Sequence, residues 1–184
     1  ASDVYKRQGA ARMPAKLAAP YRVGGQLYGA PLGPQAVTFY VNRALFRERG
    51  VPIPTSAWSW NDVVTAARKL TFTKNGRSVY GINAGDLQTD LEYGMSLYYS
   101  QGGTGIIKGA GGRFTPNLDA PFTKTAAQTL ALIYKDKVAP PPTVTGRQGY
   151  QLFLAGQMGI YVEGSWSVGT WKQEPALDWA CLLY

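Results

Sequence analysis

The sequence predicts an α/β fold, and three observations carry that reading. Short β-branched and aromatic runs, such as Val37 to Val41 and Met158 to Val162, alternate with amphipathic stretches at helical spacing. Capping residues and glycines punctuate the helical stretches, as Ser59 and Gly50 do. At 184 residues, 45% hydrophobic and 16% charged, the chain has globular composition and can bury one good core or parts of two lobes. No apolar run approaches the roughly 20 residues that a membrane-crossing helix needs.

Each element follows from its residues. In Tyr21 to Pro31, apolar and turn residues alternate, and Gly24-Gly25 reads as a hairpin turn between two short strands. Val37 to Val41 has the length and composition of a buried strand. Asn42 can cap a short helix from Arg43 to Arg49 that ends at Gly50. Ser59 and Asp62 form a carboxylate version of the capping box, and Val63, Val64, Ala67 and Leu70 give the following helix one apolar stripe. Lys74 to Arg77 makes a turn before a strand from Val79 to Ile82. Thr89 or Asp90 can cap a helix with Leu91, Met95 and Tyr98 on one face, closed by Gly102-Gly103. The glycine-rich stretch up to Gly112 reads as loop. Lys124 to Val138 is a further amphipathic helix, stopped by Pro140-Pro141-Pro142, and Tyr150 to Ala155 is a short helix ended by Gly156. Met158 to Val162 is a strand, and Gly164-Ser165-Trp166 opens the next helix.

Composition excludes several chemistries. The chain has no His, which removes Ser–His and Cys–His catalysis, His-based metal sites and a histidine pH switch. The single Cys, Cys181, has no internal disulfide partner. The formal charge is +8, from 19 basic and 11 acidic side chains, but no cluster of five basic residues occurs. Scattered surface Lys and Arg fit that pattern better than a nucleic-acid footprint, which needs clustering. Gly102 to Gly109 has Lys108 where a dinucleotide loop requires its third glycine, and it lacks the Gly-Lys-Ser/Thr of a P-loop. Asp90 and Glu92 raise the question of a glycosidase pair, yet residues two apart on a helix point in different directions. Residues 1–8 and 181–184 read as non-native terminal scars and are expected to stand outside the fold.

The order of the pieces resembles a known family. Tyr28-Gly-Ala-Pro31, Val41-Asn-Arg-Ala-Leu-Phe46 and Gly50-Val-Pro-Ile-Pro54 are similar to consecutive motifs of the family-1 extracellular solute-binding proteins. Trp58-Ser-Trp-Asn-Asp62 with Ala66-Ala-Arg-Lys-Leu-Thr71 resembles the family's next helix, and Phe153-Leu-Ala-Gly156 with Gly164-Ser-Trp166 a later element. Together these pieces cover nearly everything from Tyr21 to Trp179. The sequence departs from the family pattern at Val41, where relatives carry Tyr, and at Gln157 to Ile160.

The resemblance implies a periplasmic-binding-protein-like fold of type II, present here mostly as the second lobe plus the first hinge-crossing strand. On that reading residues 9–36 are a remnant of the first lobe, residues 37–42 the crossing strand, and residues 43–180 an incomplete second lobe. It also implies the substrate-binding subunit of an ABC importer, periplasmic or extracellular, with any lipid anchor lying outside this segment. Such a protein holds a carbohydrate in an interlobe cleft and presents it to permease subunits. No catalysis, cofactor, metal or nucleic-acid partner is expected.

Sugars offer hydroxyls and flat C–H faces, so the site needs aromatic platforms and polar side chains. Trp166, at a strand-to-helix turn, sits where ligands of open α/β sheets bind, and the resemblance implies stacking on a pyranose ring; the alternative is a core Trp. Gln35, where relatives often place Glu, is either a hydroxyl partner or an ordinary turn residue. Glu163 belongs either to the cleft or to the surface. Asp90 is a ligand contact or a helix cap, Glu92 lies beside it, and Tyr93 is a candidate second stacking surface. Trp58 and Trp60, next to the capping box, are read as structural. Alternatives to the sugar receptor are a carbohydrate-active enzyme with an aromatic-lined cleft, or a receptor for a polyamine or glycerol-phosphate.

Overall fold

A computed structural model describes residues 14–29, 35–53, 58–84, 86–87, 91–102, 107–117, 121–144 and 146–182. The chain falls into two compact units, residues 1–36 and 37–184.

In the first unit a short helix, α1 (Ala15–Ala18), leads through a 3-10 turn into the hairpin of β1 (Arg22–Val23) and β2 (Gln26–Leu27). Gly24 and Gly25 both take positive φ, +56° and +80°, as a two-residue hairpin turn demands. The expected strand pair and its turn are therefore present.

The second unit is built on a five-stranded sheet in the order β4-β5-β8-β3-β9. Its strands are β3 (Val37–Asn42), β4 (Phe72–Lys74), β5 (Arg77–Ile82), β8 (Met158–Gly164) and β9 (Trp179–Leu182). β5 and β8 run parallel, with Ile82 opposite Ile160, while β3 is antiparallel to both β8 and β9. Strands β5, β8 and β9 therefore end at one edge, the edge where β3 begins.

Helices cover both faces of the sheet. The larger core gathers Phe39 and Val41 of β3, Ile160 and Val162 of β8, and the inner faces of α2 (Arg43–Glu48), α3 (Trp60–Leu70), α4 (Leu91–Ser100) and α5 (Pro121–Lys135). A smaller, aromatic core joins Tyr40 and Tyr161 to Phe153 of α6 (Gly146–Leu154) and Trp171 of α7 (Val168–Trp171). Trp171 there touches Tyr40, Tyr150, Phe153 and Tyr161 at centroid separations of 5.0 to 5.8 Å.

Local chemistry explains the helix starts. The Asn42 side chain accepts a hydrogen bond from Leu45 N at 3.1 Å. At α3 both halves of the capping box close: Asp62 N donates to Ser59 Oγ, and Ser59 N donates to Asp62 Oδ2 at 2.9 Å. The Ser59 hydroxyl, donating to Asp62 Oδ2 at 2.6 Å, and Ser59 N together hold the Asp62 carboxyl below its ordinary range. Such a cap contributes about 1 kcal/mol, whereas each buried Val or Leu contributes roughly 1.5–3 kcal/mol. Burial of Val63, Val64, Ala67 and Leu70 thus decides that the helix packs, and Ser59 decides where it starts. Trp60 meets Phe39 edge-on at 5.4 Å and donates to Ser100 Oγ, and Trp58 stacks on Phe46, so both are structural as read. α3 lies so close to β5 that a Cβ on Gly81 would stand 2.1 Å from the Ala67 carbonyl oxygen.

Several expectations are corrected. The glycine-rich stretch expected to be loop contains a hairpin, β6 (Ile107–Ala110) with β7 (Arg113–Pro116), turning at Gly111 and Gly112 with φ +60° and +79°. The glycines hid the strand alternation and supply the turn. α4 buries Tyr93, Gly94 and Leu97 most fully, while Met95 and Tyr98 of the expected stripe are half-buried, Tyr98 packed against the core, and Tyr93 reaches β8 through its hydroxyl bond to Glu163. α5 ends at Lys135, ahead of the prolines, and Lys137 then takes φ +55°. This turn lets the Val138 carbonyl accept from Gly81 N and Ile82 N. α6 begins at Gly146, four residues before the expected start at Tyr150. Cys181 and Leu182, expected outside the fold, pair with Tyr40 and Phe39 as part of β9. Ladder pairing uses backbone groups and is indifferent to the side chains that made the end look foreign. Residues 1–8 lie outside the described residues. Among the described residues no helix is long and apolar enough to cross a membrane.

Candidate functional site

The shared end of β5 and β8 collects aromatic and carboxylate side chains. β8 stays extended through Gly164 and breaks into a 3-10 turn at Ser165–Ser167, which swings Trp166 back over its own strand. A Cβ on Gly164 would lie 2.1 Å from the indole ring, so only glycine lets the ring rest there. The far side of the indole is open, and Trp166 is 43% exposed. Tyr93, reaching in from α4, meets the indole edge-on with centroids 6.4 Å apart and planes at 68°.

Glu163, on β8 itself, meets Tyr93. Its Oε1 accepts from the Tyr93 hydroxyl and from Gly164 N, the latter at 2.7 Å. A carboxylate offers about four lone-pair sites, so acceptor capacity remains for a ligand hydroxyl even with the Tyr161 hydroxyl nearby. Burial and the bond to Glu163 push the Tyr93 hydroxyl well above the ordinary tyrosine range. Burial and the Glu163 charge do the same at Tyr161. Tyr40, whose hydroxyl donates to the Gly164 carbonyl at 2.9 Å, is pushed up to about 12, mainly by burial. At neutral pH all three hydroxyls keep their protons and act as donors. The arrangement is a preset wall: a flat apolar face beside a carboxylate held in place by donors that are already engaged.

One buried amide aligns the end of β8. Asn83 follows β5 directly; its Oδ1 accepts from Val162 N at 2.6 Å and its Nδ2 donates to the Val162 carbonyl at 3.3 Å. The same Nδ2 lies 3.4 Å from Asp86 Oδ2, and that second carboxylate, like Glu163, bears on the Tyr93 and Tyr161 hydroxyls.

The structure thus brings together three of the residues singled out in the sequence: Trp166, Tyr93 and Glu163. Trp166 is a half-open platform and not a core residue. Tyr93 is a buried support more than a second open surface. Glu163 belongs to the wall. Gln35 is exposed just ahead of β3, within the first unit. Asp90 and the Glu92 side chain lie outside the described residues. Sequence reasoning missed Asn83 and Asp86; a polar residue directly after the apolar run Val79 to Ile82 was the available signal for Asn83.

A groove of about 570 Å³ lies at the opposite edge of the sheet, lined among others by Asn42, Glu48, Lys74, Arg77, Gln157 and Asp178. None of its lining residues is aromatic, and Lys74 and Asp178 are already engaged in ion pairs with Glu48 and with Arg43 and Arg47.

A sheet of this order with helices on both faces defines an α/β protein of the type II periplasmic-binding-protein-like class. More specifically, the chain belongs to the bacterial extracellular solute-binding protein family, whose model matches residues 2–179. Among solved structures, an ABC substrate-binding protein from Listeria monocytogenes in complex with cycloalternan is similar over 100% of this chain and 46% of its own, with TM-score 0.80 and 24% identity. An ABC transporter solute-binding protein from Thermotoga lettingae bound with α-D-tagatose is similar over 96% of this chain and 46% of its own, with TM-score 0.75 and 21% identity. UgpB from Mycobacterium tuberculosis in complex with glycerophosphocholine is similar over 99% of this chain and 46% of its own, with TM-score 0.70 and 21% identity. The chain therefore spans about half the length of these proteins. No curated protein matches it.

Proposed function

We propose that this chain is part of the substrate-binding subunit of an ABC importer and that its ligand is a mono- or oligosaccharide. The half-open Trp166 indole, braced by Gly164 and Tyr93 with the Glu163 carboxylate beside it, carries the reading. A pyranose presents a C–H face to an indole and hydroxyls to a carboxylate, and this wall offers both at once. The cycloalternan and tagatose complexes of similar structures support the same class of ligand. On this reading residues 37–42 are the first hinge-crossing strand, residues 43–180 belong mostly to the second lobe, and the missing lobe closes over the wall. Gln35, Asp90 and Glu92 remain candidate contacts on that closing cleft.

Binding here selects the closed conformation, which the permease subunits then recognise; no bond is made or broken. The protein is accordingly a receptor and not an enzyme, working in the periplasm or at the cell exterior. A phosphodiester or other non-sugar solute is the second reading, favoured by the glycerophosphocholine complex of a similar structure. Calorimetry of the complete protein against a panel from mono- to tetrasaccharides tests the proposal. A sugar binding with Kd in the micromolar range is expected. Failure of every sugar to bind more tightly than about 1 mM, about 4 kcal/mol, would remove it.

A further inference from the structure

We infer that the wall also selects by charge: it accepts neutral and cationic solutes and rejects anionic ones, with Glu163 setting the discrimination. The inference rests on the wall being part of the ligand site, but not on the ligand being a sugar. Three observations carry it. Glu163 is fixed on the rim by the Tyr93 hydroxyl and Gly164 N, so its charge has one position and does not swing away from an incoming anion. Asp86 adds a second carboxylate, placed by the Asn83 amide that clamps Val162, the residue before Glu163. The charged groups that bear on the Tyr93 and Tyr161 hydroxyls are these two carboxylates.

Ion pairs elsewhere engage Arg43, Arg47, Arg68 and Lys74 with Asp178, Asp136 and Glu48, none of which belongs to the wall. Among the described residues, the carboxylates that bear on the Tyr93 and Tyr161 hydroxyls are opposite in sign to the chain's formal +8. Net charge governs long-range steering, whereas contact affinity follows the groups at the site. A basic protein can thus draw anions toward itself and still refuse them at the wall, where like charges would be brought together in a partly desolvated setting.

The test uses matched solutes on the complete protein: glucose, glucosamine and glucuronate, the galactose equivalents, glycerol 3-phosphate and spermidine. Calorimetry is run on wild type and on the Glu163→Gln, Glu163→Asp and Asp86→Asn variants, with circular dichroism as a check on folding. Solutes that bind wild type are expected to be neutral or cationic, with the anionic counterpart at least about tenfold weaker. Glu163→Gln is expected to narrow that ratio by about tenfold, Asp86→Asn by less, and Glu163→Asp, which keeps the charge, to preserve it. Equal or tighter binding of a uronate or phosphate by wild type overturns the inference, as does a ratio unmoved by Glu163→Gln. Binding of spermidine alone would leave charge selection standing and remove the sugar reading. Tight binding of a sugar acid would do the reverse.

Discussion

The two edges of the central sheet differ in kind. At the edge where β5 and β8 end, an aromatic ring and a carboxylate are held in place by their neighbours: Trp166 rests on Gly164, Glu163 accepts from Gly164 N and the Tyr93 hydroxyl, and the Asn83 side-chain amide fixes the Val162 backbone beside them. At the other edge a groove of about 570 Å³ has charged residues that include ion pairs already made, and its walls lack aromatic surface. On the proposed reading, fixed aromatic and carboxylate chemistry marks the ligand wall, and enclosed volume does not.

The largest effect is expected midway between the edges. Gly81→Ala would drive a Cβ to 2.1 Å from the Ala67 carbonyl oxygen and separate α3 from β5. A loss of about 3 kcal/mol in urea unfolding is expected, and both edges should lose order together. The next effect separates them. Burial pushes the Tyr40 hydroxyl up to about 12 from an ordinary 10.0, and Tyr93 and Tyr161 are raised too. Between those two values the unfolded chain releases these protons and the folded one keeps them, so stability is intact below pH 10 and falls as pH climbs toward 12. Melting curves across that range should track tyrosinate absorbance and should flatten in a Tyr93→Phe variant.

At the carboxyl edge itself, Trp166→Ala should weaken ligand binding about 30-fold, roughly 2 kcal/mol, with little change in melting temperature because the indole is largely surface. Gly164→Ala should cost about tenfold in affinity by displacing the indole, visible as a shift in tryptophan emission. The smallest effect belongs to the opposite groove: Lys74→Ala breaks a half-exposed ion pair to Glu48 and should cost about 0.5 kcal/mol or less with binding unchanged. A strong binding defect there would invert the comparison.

Much of the fold was legible because its signals are local. Ser59 with Asp62, the Asn75-Gly76 turn, and the strand runs in β3 and β8 each state their structure within a few residues. Trp166 was legible for the same reason, since its platform is made two residues away. The misses are non-local. Which face of α4 turns inward depends on Tyr93 meeting Glu163, 70 positions along the chain. Asn83 gains its role only when β8 arrives beside it, and the β6–β7 hairpin was hidden by glycines that read as loop until a pairing partner is known. Gln35 was legible as exposed turn chemistry and no further.

The contrast in reach has a consequence for how this pocket can drift. The indole's seat is written in a single tripeptide at the end of β8. Its brace, Tyr93, comes from a helix in a distant stretch of chain and also holds Glu163. A point change at Tyr93 therefore shifts the ledge and its neighbouring acceptor together, a single mutational step toward a differently shaped wall.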